Sequence, residues 1–232
     1  MPQTSAYTGN NRLLAAVPAA DFERFFGGLE PVTLSLRQTL QDATKPVEEV
    51  YFIEEGVTSV LQVMADGSTI EVGMIGSEGM VGVSALLSGG SPPHIIVQVP
   101  GRALRTSLTH CYRAFNESVT VRSVFLEFAG MLLRLSSRTA GCNRLHSIEQ
   151  RLARWLLMAR DRFNSDTIPM THEFLASMLG VRRAGVTTTA GELQRSGLIN
   201  YRQRSVTIRD RDGLETLACE CYEADHAELR SN

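Results

Sequence analysis

The sequence predicts an α+β chain with an N-terminal antiparallel β-roll, one long helix and a C-terminal winged helix-turn-helix. Three patterns indicate it: short apolar runs between turn residues, a heptad-spaced apolar stripe, and two short helical patterns around a glycine turn. The 232 residues are enough for two domains with their own cores. We place the roll at residues 1–112, the long helix and a hinge at 113–140, and the winged helix-turn-helix at 141–232.

The first domain is expected to be mostly β-structure after a short helical pattern at residues 11–26. Apolar runs alternate with turn signals such as Asp66-Gly67 and Gly76-Ser77. Many short strands at this spacing are typical of a small antiparallel barrel or roll. The expected strands are residues 32–36, 50–53, 59–64, 70–74, 95–99 and 103–108.

Residues 113–138 are predicted to form one long helix, with Gly141 as the hinge before a further helix at 148–163. Apolar residues step through it by four and three, which is a heptad seam. A seam this narrow is typical of a helix that pairs with another helix, so we predict a homodimer. The alternative is a helix that lies on its own roll. The seam residues are Val121, Phe125, Phe128, Leu132 and Leu135.

Residues 171–199 contain two helical patterns on either side of a tight turn at Gly180-Val181. The second pattern buries one face and leaves Arg and Thr side chains outward, which a major groove can accept. An Arg pair on a solvated face of an all-α protein is the alternative, and we favour DNA. The predicted contacts are Thr171, Arg182, Arg183, Thr187, Thr188, and Arg202 and Arg204 of the wing.

A hairpin of residues 199–201 and 205–208 is predicted to form the wing, with two positive charges at its tip suited to phosphate. Residues 140–211 hold twelve Arg, no Lys and six acidic residues, although the whole chain carries a net charge of −2. We therefore predict a basic domain that binds double-stranded DNA. RNA and an anionic membrane are less favoured, because no aromatic residues are interleaved and no basic amphipathic helix is present.

The first twelve residues lack the apolar region of a secretory signal, so we expect a cytoplasmic protein. The four cysteines are Cys111, Cys142, Cys219 and Cys221, and their spacing does not match the usual zinc patterns. We expect buried or incidental thiols, without disulfides and without a metal site.

Sequence motifs of catalysis are missing as well. No G-x-S-x-G, Walker A or dinucleotide-binding pattern occurs, and the roll holds only His94 and His110. A metal-dependent β-roll enzyme needs a converging set of His and carboxylate ligands. We therefore do not expect an enzyme, and keep such an oxygenase as a remote alternative.

The order of roll, long helix and winged helix resembles the Crp/Fnr family of bacterial transcription regulators over nearly the whole chain. The roll matches at residues 50–56 and 79–82. The most specific match is A-x-x-[LM]-G-V-x-R, formed by Ala176, Leu179, Gly180, Val181 and Arg183.

This resemblance implies a cyclic-nucleotide-binding-like roll and a homodimer that reads a two-fold operator. It also implies RNA polymerase as a partner if the protein activates transcription. Arg183 and Thr188 would occupy base-reading positions. The family often has Glu after this Arg; here Ala184 follows, so the operator should differ from the best-known one.

The family's cyclic AMP pocket uses a Glu for the ribose and an Arg for the cyclic phosphate. The corresponding pocket residues here are Gly82, Val83, Ser84 and His94; Val83 replaces the Glu and no Arg lies near His94. We therefore expect an unidentified effector other than cyclic AMP. An iron–sulfur cluster is not expected either, because no Cys precedes Cys111. The alternative is a constitutive DNA-binding dimer whose roll is a scaffold without ligand.

Overall fold

The computed structural model describes residues 7–87, 92–163 and 165–231. The described chain divides into two compact units. The first contains residues 7–60 and 74–134, and the second contains residues 61–73 and 135–231. The α+β architecture, with an antiparallel sheet, a long helix and a helix-turn-helix, is confirmed.

Two short helices precede an antiparallel sheet with the strand order β1-β6-β3-β4, which belongs to the first unit except for residues 61–73 at the end of β3 and the start of β4. Strand β2 pairs with β6, and β5 pairs with β3. A short helix, α3, follows β5. The elements are α1 Arg12–Ala15, α2 Ala19–Phe26, β1 Glu30–Leu34, β2 Thr39–Gln41, β3 Glu49–Val63, β4 Thr69–Ile75, β5 Met80–Val81, α3 Val83–Leu87 and β6 His94–Ser107.

Four of the expected strands are joined in pairs. Residues 50–53 and 59–64 belong to β3, and residues 95–99 and 103–108 largely to β6. Gly56 lets β3 continue through the expected break, since its φ is +91° and an added Cβ would lie 2.5 Å from the Val99 carbonyl oxygen. The turn residues therefore mark a close approach of two strands, not an end of either.

Two helices, α4 Leu108–Glu117 and α5 Val119–Leu145, replace the single helix expected at 113–138. Ser118 separates them: its backbone is extended, and its Oγ accepts a hydrogen bond from the Val121 N–H at 3.1 Å. The hinge at Gly141 is wrong, because Gly141 lies within the 27 residues of α5. A helix of this length tolerates its two glycines, Gly130 and Gly141, each of which costs about 1 kcal/mol relative to alanine.

The seam residues of α5 do not form the expected free stripe. Phe125 is fully buried in its own chain, with its ring centroid 6.2 Å from that of Phe26 and 6.1 Å from that of Phe52. Val121, Phe128 and Leu135 are buried as well. Leu132, the fifth seam residue, is half-buried. Heptad spacing identifies one helix face but not what covers it, so the pairing of this seam with a second helix stays a prediction, which its burial within one chain does not favour.

The second unit contains the helix at 148–163 with the predicted bounds, the two helices of the helix-turn-helix, and a small sheet with the order β7-β9-β8. Strand β7 was not expected, and two further helices follow the wing. The elements are α6 Ile148–Phe163, β7 Thr167–Pro169, α7 His172–Leu179, α8 Arg183–Arg195, β8 Ile199–Arg202, β9 Ser205–Ile208, α9 Arg211–Leu217 and α10 Glu220–Ser231.

Helix α6 forms the centre of the second unit. Trp155 is buried, and its Nε1–H donates to Glu71 Oε1 at 2.9 Å. Arg154 is also buried and makes an ion pair with the fully buried Asp225 of α10 at 2.6 Å. Asp225 also pairs with Arg138. Among the described residues, no helix combines the length and apolar character that crossing a membrane requires.

Candidate nucleic-acid interface

Thr171 and Gly180, the residues at the two ends of α7, fix this helix and the turn that follows it. The Thr171 hydroxyl accepts a hydrogen bond from the Phe174 N–H at 3.2 Å and so caps α7. Gly180 ends α7 in the left-handed conformation, with φ +61° and ψ 39°. A Cβ at this position would lie 2.6 Å from the Ile70 side chain. The sharp turn and the close approach both need glycine.

Helix α8 presents the row of side chains that the sequence predicts. Arg182 is its extended N-cap residue, and Arg183 is its first helical residue. Both are exposed, as are Thr187 and Thr188 one turn later. The opposite face is buried through Val186, Ala190 and Leu193. The structure therefore brings four of the predicted contact residues to the first two turns of one helix.

The wing carries the other two predicted arginines. Arg202 pairs with Ser205 across β8 and β9, so the loop between them has only two residues. Both of these, Gln203 and Arg204, have positive φ, at 49° and 65°. Such hairpin turns usually contain Asn or Gly, and an Arg there is strained by about 1 kcal/mol. The arrangement holds Arg202 and Arg204 exposed at the tip of the wing.

These four arginines share a second property. Arg182, Arg183, Arg202 and Arg204 have no carboxylate within salt-bridge distance in the part of the chain that the structure describes. Other arginines of the unit are neutralised, for example Arg160 by Asp166 at 2.9 Å and Arg211 by Asp161 at 2.8 Å. The charge balance of residues 140–211 therefore overstates the free positive charge. Among the described residues, four of the exposed arginines without a carboxylate partner lie at α8 and the wing, and Arg144 and Arg209 are the others in this range.

His172, which the sequence analysis missed, connects these parts. Its ring stacks on Tyr201 of β8 with 4.1 Å between centroids, and its Nδ1 lies 3.1 Å from Thr187 Oγ1. The Thr187 hydroxyl also donates to the Arg183 carbonyl at 3.0 Å, so we assign the ring proton to Nδ1. One side chain thus joins α7, α8 and the wing. The only sequence signal for His172 is its position directly after Thr171, the N-cap residue of α7.

The His172 ring is held in its neutral form. Burial lowers the pKa of His172, and the positive charge of Arg183 lowers it further. The Nε2 atom is buried without a hydrogen-bond partner among the described residues, so a proton added there would find no acceptor.

The residues predicted for the effector pocket lie in the first unit. Gly82, with φ +109°, precedes α3, in which Val83 is buried and Ser84 half-buried. His94 begins β6 and is half-buried. A cavity of about 540 Å³ in this unit is lined by residues 39–42 and 45–49, which include none of the four. The effector pocket stays a prediction.

Comparison with known proteins agrees with this geometry. Residues 150–217 match the family described as the Crp-like helix-turn-helix domain. The chain is 23% identical over 200 residues to the global nitrogen regulator of Nostoc sp., covering 78% of this chain and 87% of that protein. It is likewise 23% identical to the global nitrogen regulator of Synechocystis sp., covering 83% of this chain and 91% of the relative.

A solved structure with a similar fold is a Crp/Fnr-family transcriptional regulator from Eubacterium rectale. The TM-score is 0.70 at 18% identity, with 87% of this chain and 94% of that chain covered. These relatives are all described as regulators. The chain therefore carries a Crp-like helix-turn-helix domain at residues 150–217 and shares the fold of a solved Crp/Fnr-family regulator.

Proposed function

We propose that two copies of the chain bind a two-fold DNA operator, with one α8 helix from each copy in the major groove. The observation that carries this proposal is the set of four exposed arginines without carboxylate partners at α8 and the wing. Unpaired guanidinium groups on one surface provide the positive potential that a phosphate backbone requires.

The four arginines have different roles in this proposal. Arg183 lies in the first turn of α8 beside Thr187 and Thr188, where recognition helices contact base edges. A guanidinium there can bind guanine O6 and N7 in bidentate fashion. Arg182 precedes the helix, and Arg202 and Arg204 lie at the wing tip, so these three contact phosphates. Thr171 supports the interface through its cap to α7.

The dimer forms through a different face of α5 from the one the sequence predicted. Val119, Leu126 and Leu133 follow one another at intervals of seven residues and are 78%, 46% and 69% exposed. Residues seven apart lie on one stripe of a helix. A second copy of the same helix covers such a stripe by two-fold symmetry, which also gives the two DNA-reading helices a two-fold arrangement.

The effector is a small molecule other than cyclic AMP. Val83, at the position where the family binds the ribose with Glu, has a buried aliphatic side chain. The alternative, a constitutive regulator with a roll that binds nothing, predicts the same affinity for DNA under all conditions. A sensor requires an effector that binds two conformations unequally.

The test is selection of binding sites from random duplex DNA by the full-length protein, with and without cyclic AMP. We expect the same two-fold site in both arms. Arg183→Ala should lose this enrichment, while Arg195→Ala should keep it, because Arg195 lies on the same helix 3.9 Å from Glu192. Enrichment only with cyclic AMP would refute the effector assignment, and sites without two-fold symmetry would refute the dimeric mode of reading.

A further inference from the structure

Three cysteines and one histidine that are far apart in the sequence meet in the second unit. Cys142 and His146 lie one helical turn apart at the end of α5, where the His146 N–H donates to the Cys142 carbonyl at 3.1 Å. Cys219 and Cys221 flank the start of α10. Residues four apart on a helix share a face, so Cys142 and His146 both point toward the α9–α10 junction.

The four donor atoms have the spacing of ligands around a single ion. Cys142 Sγ lies 3.5 Å from Cys219 Sγ, and Cys221 Sγ lies 3.8 Å from His146 Nδ1. All four donor atoms lie within 4.8 Å of one another. With Zn–S bonds of about 2.3 Å, tetrahedral ligands are about 3.8 Å apart. A multi-iron cluster places several atoms between its thiolates and needs a wider cage.

The environment of His146 supports ligation through Nδ1. Its Nε2 lies 3.2 Å from Glu220 Oε1, so we assign the ring proton to this nitrogen, facing the carboxylate. Nδ1 is then left with its lone pair toward the thiols. Histidines that bind metals commonly donate their second N–H to a carboxylate in this way, which fixes the tautomer and the ring orientation.

A nearby buried cation supports an anionic site. Arg151 is 7% exposed and hydrogen-bonds to Asn143 Oδ1 at 2.8 Å and to the Leu179 carbonyl. In the described part of the chain it has no carboxylate partner, and its Nε has no partner at all. A buried charge without a counter-ion is costly. Arg151 lies near enough to Cys142 and Cys219 to interact with their charges.

We propose that Cys142, His146, Cys219 and Cys221 bind one Zn²⁺ ion. Three thiolates and a neutral imidazole around Zn²⁺ give a net charge of −1, which is the counter-charge that Arg151 lacks. Four protein ligands leave no open coordination position, so the site is structural and not catalytic. The ion joins the last turn of α5 to the helices that follow the wing. Zinc binding releases thiol protons to the solvent, so the affinity falls at low pH.

The first experiment measures zinc by mass spectrometry in the purified full-length protein. We expect about one Zn²⁺ per chain, falling below about one tenth in Cys219→Ser and in Cys142→Ser. The matched control is Cys111→Ala, which removes a buried thiol of α4 outside the cluster and should keep its zinc. Because a variant can lose metal by failing to fold, a second measurement uses the unaltered chain.

In this second experiment, Co²⁺ is titrated into the chain after chelation of its metal. The expected result is the strong visible absorption of tetrahedral cobalt and the sulfur-to-cobalt band near the ultraviolet, both displaced by Zn²⁺ at equal concentration. Two results would overturn the proposal: no spectral change together with no zinc in the purified protein, or a disulfide between Cys142 and Cys219 in protein purified without reductant under nitrogen.

Discussion

Arg183 and Arg195 lie on the same helix but in different surroundings. Arg183 has no acidic partner among the described residues, whereas Arg195 is near Glu192. We expect Arg183→Ala to weaken operator binding by about 1–3 kcal/mol and to relax the preference at one base position. Arg195→Ala should change the affinity by less than about 0.5 kcal/mol. The measurement is a titration of both variants against the operator and its single-base substitutions; an equal loss on every sequence would reassign Arg183 to phosphate.

The pKa of His172 can be measured directly by NMR titration. We expect it below the ordinary value of about 6.5, and we expect Arg183→Ala to raise it by removing a neighbouring positive charge. A lowered pKa means that the unfolded chain binds the proton more readily than the folded chain. The stability that neutral His172 contributes is therefore present above about pH 6.5 and lost as the pH falls through the folded value. A pKa at or above the ordinary value would contradict a neutral ring held by burial and by the charge of Arg183.

Gly180 and Gly191 offer a matched pair of glycine substitutions. Gly180→Ala should lower the free energy of unfolding by about 1–2 kcal/mol, because alanine is disfavoured at a φ of +61° and its Cβ would press on Ile70. Gly191 lies within α8, with nothing within 4 Å of an added Cβ. Gly191→Ala should raise the stability by up to about 1 kcal/mol. Chemical denaturation of both variants would show whether the two effects have opposite signs.

Helix α5 has two apolar faces, and substitutions on them should have different consequences. Leu126→Asp is expected to give folded monomers, because Leu126 lies on the exposed stripe proposed to face the second copy. Phe125→Asp should destabilise the roll by at least about 3 kcal/mol, because Phe125 packs between Phe26 and Phe52. Leu36→Asp, at another exposed leucine, is the control and should leave the dimer intact. Sedimentation and circular dichroism separate the three outcomes, and a tight Leu126→Asp dimer would refute the proposed face.

The helices and strands show what the spacing of apolar residues can predict and what it cannot. The helix at residues 148–163 and both helices around Gly180 follow from the sequence, because local spacing, caps and a left-handed glycine determine them. The two long strands do not, because Gly56 looks like a turn until its neighbour across the sheet is known. The sequence also does not show which face of α5 is covered by its own chain, because a stripe of apolar residues does not identify what packs against it.

At the scale of the whole molecule, salt dependence reports how many phosphate contacts the complex makes. Arg204→Ala removes one proposed contact from each copy, so the slope of log K against log salt should become shallower by about 2 for a dimer and by about 1 for a monomer. Arg24→Ala, in the roll and paired with Glu117 at 2.6 Å, should leave the slope unchanged. An unchanged slope for Arg204→Ala would place the wing tip away from the DNA.

Features that depend on contacts between distant parts of the chain could not be predicted from the sequence. The residues proposed to contact DNA are close in the chain, so their spacing was sufficient to predict that α8 and the wing present them. The four proposed zinc ligands form no recognisable motif, because Cys142 and His146 meet Cys219 and Cys221 only after folding. Likewise, the local excess of arginine did not show that Arg154 is neutralised by Asp225 from α10.

The buried carboxylate of Asp225 makes the second unit sensitive to truncation of the last helix. Translation that stops before Asp225 would leave Arg138 and Arg154 without the counter-ion that both share, a cost of several kcal/mol for buried charges. The reading surface would be fully encoded in such an allele, yet the unit that presents it would not hold together. Nonsense alleles between the wing and Asp225 should therefore have the phenotype of a deletion of the whole gene.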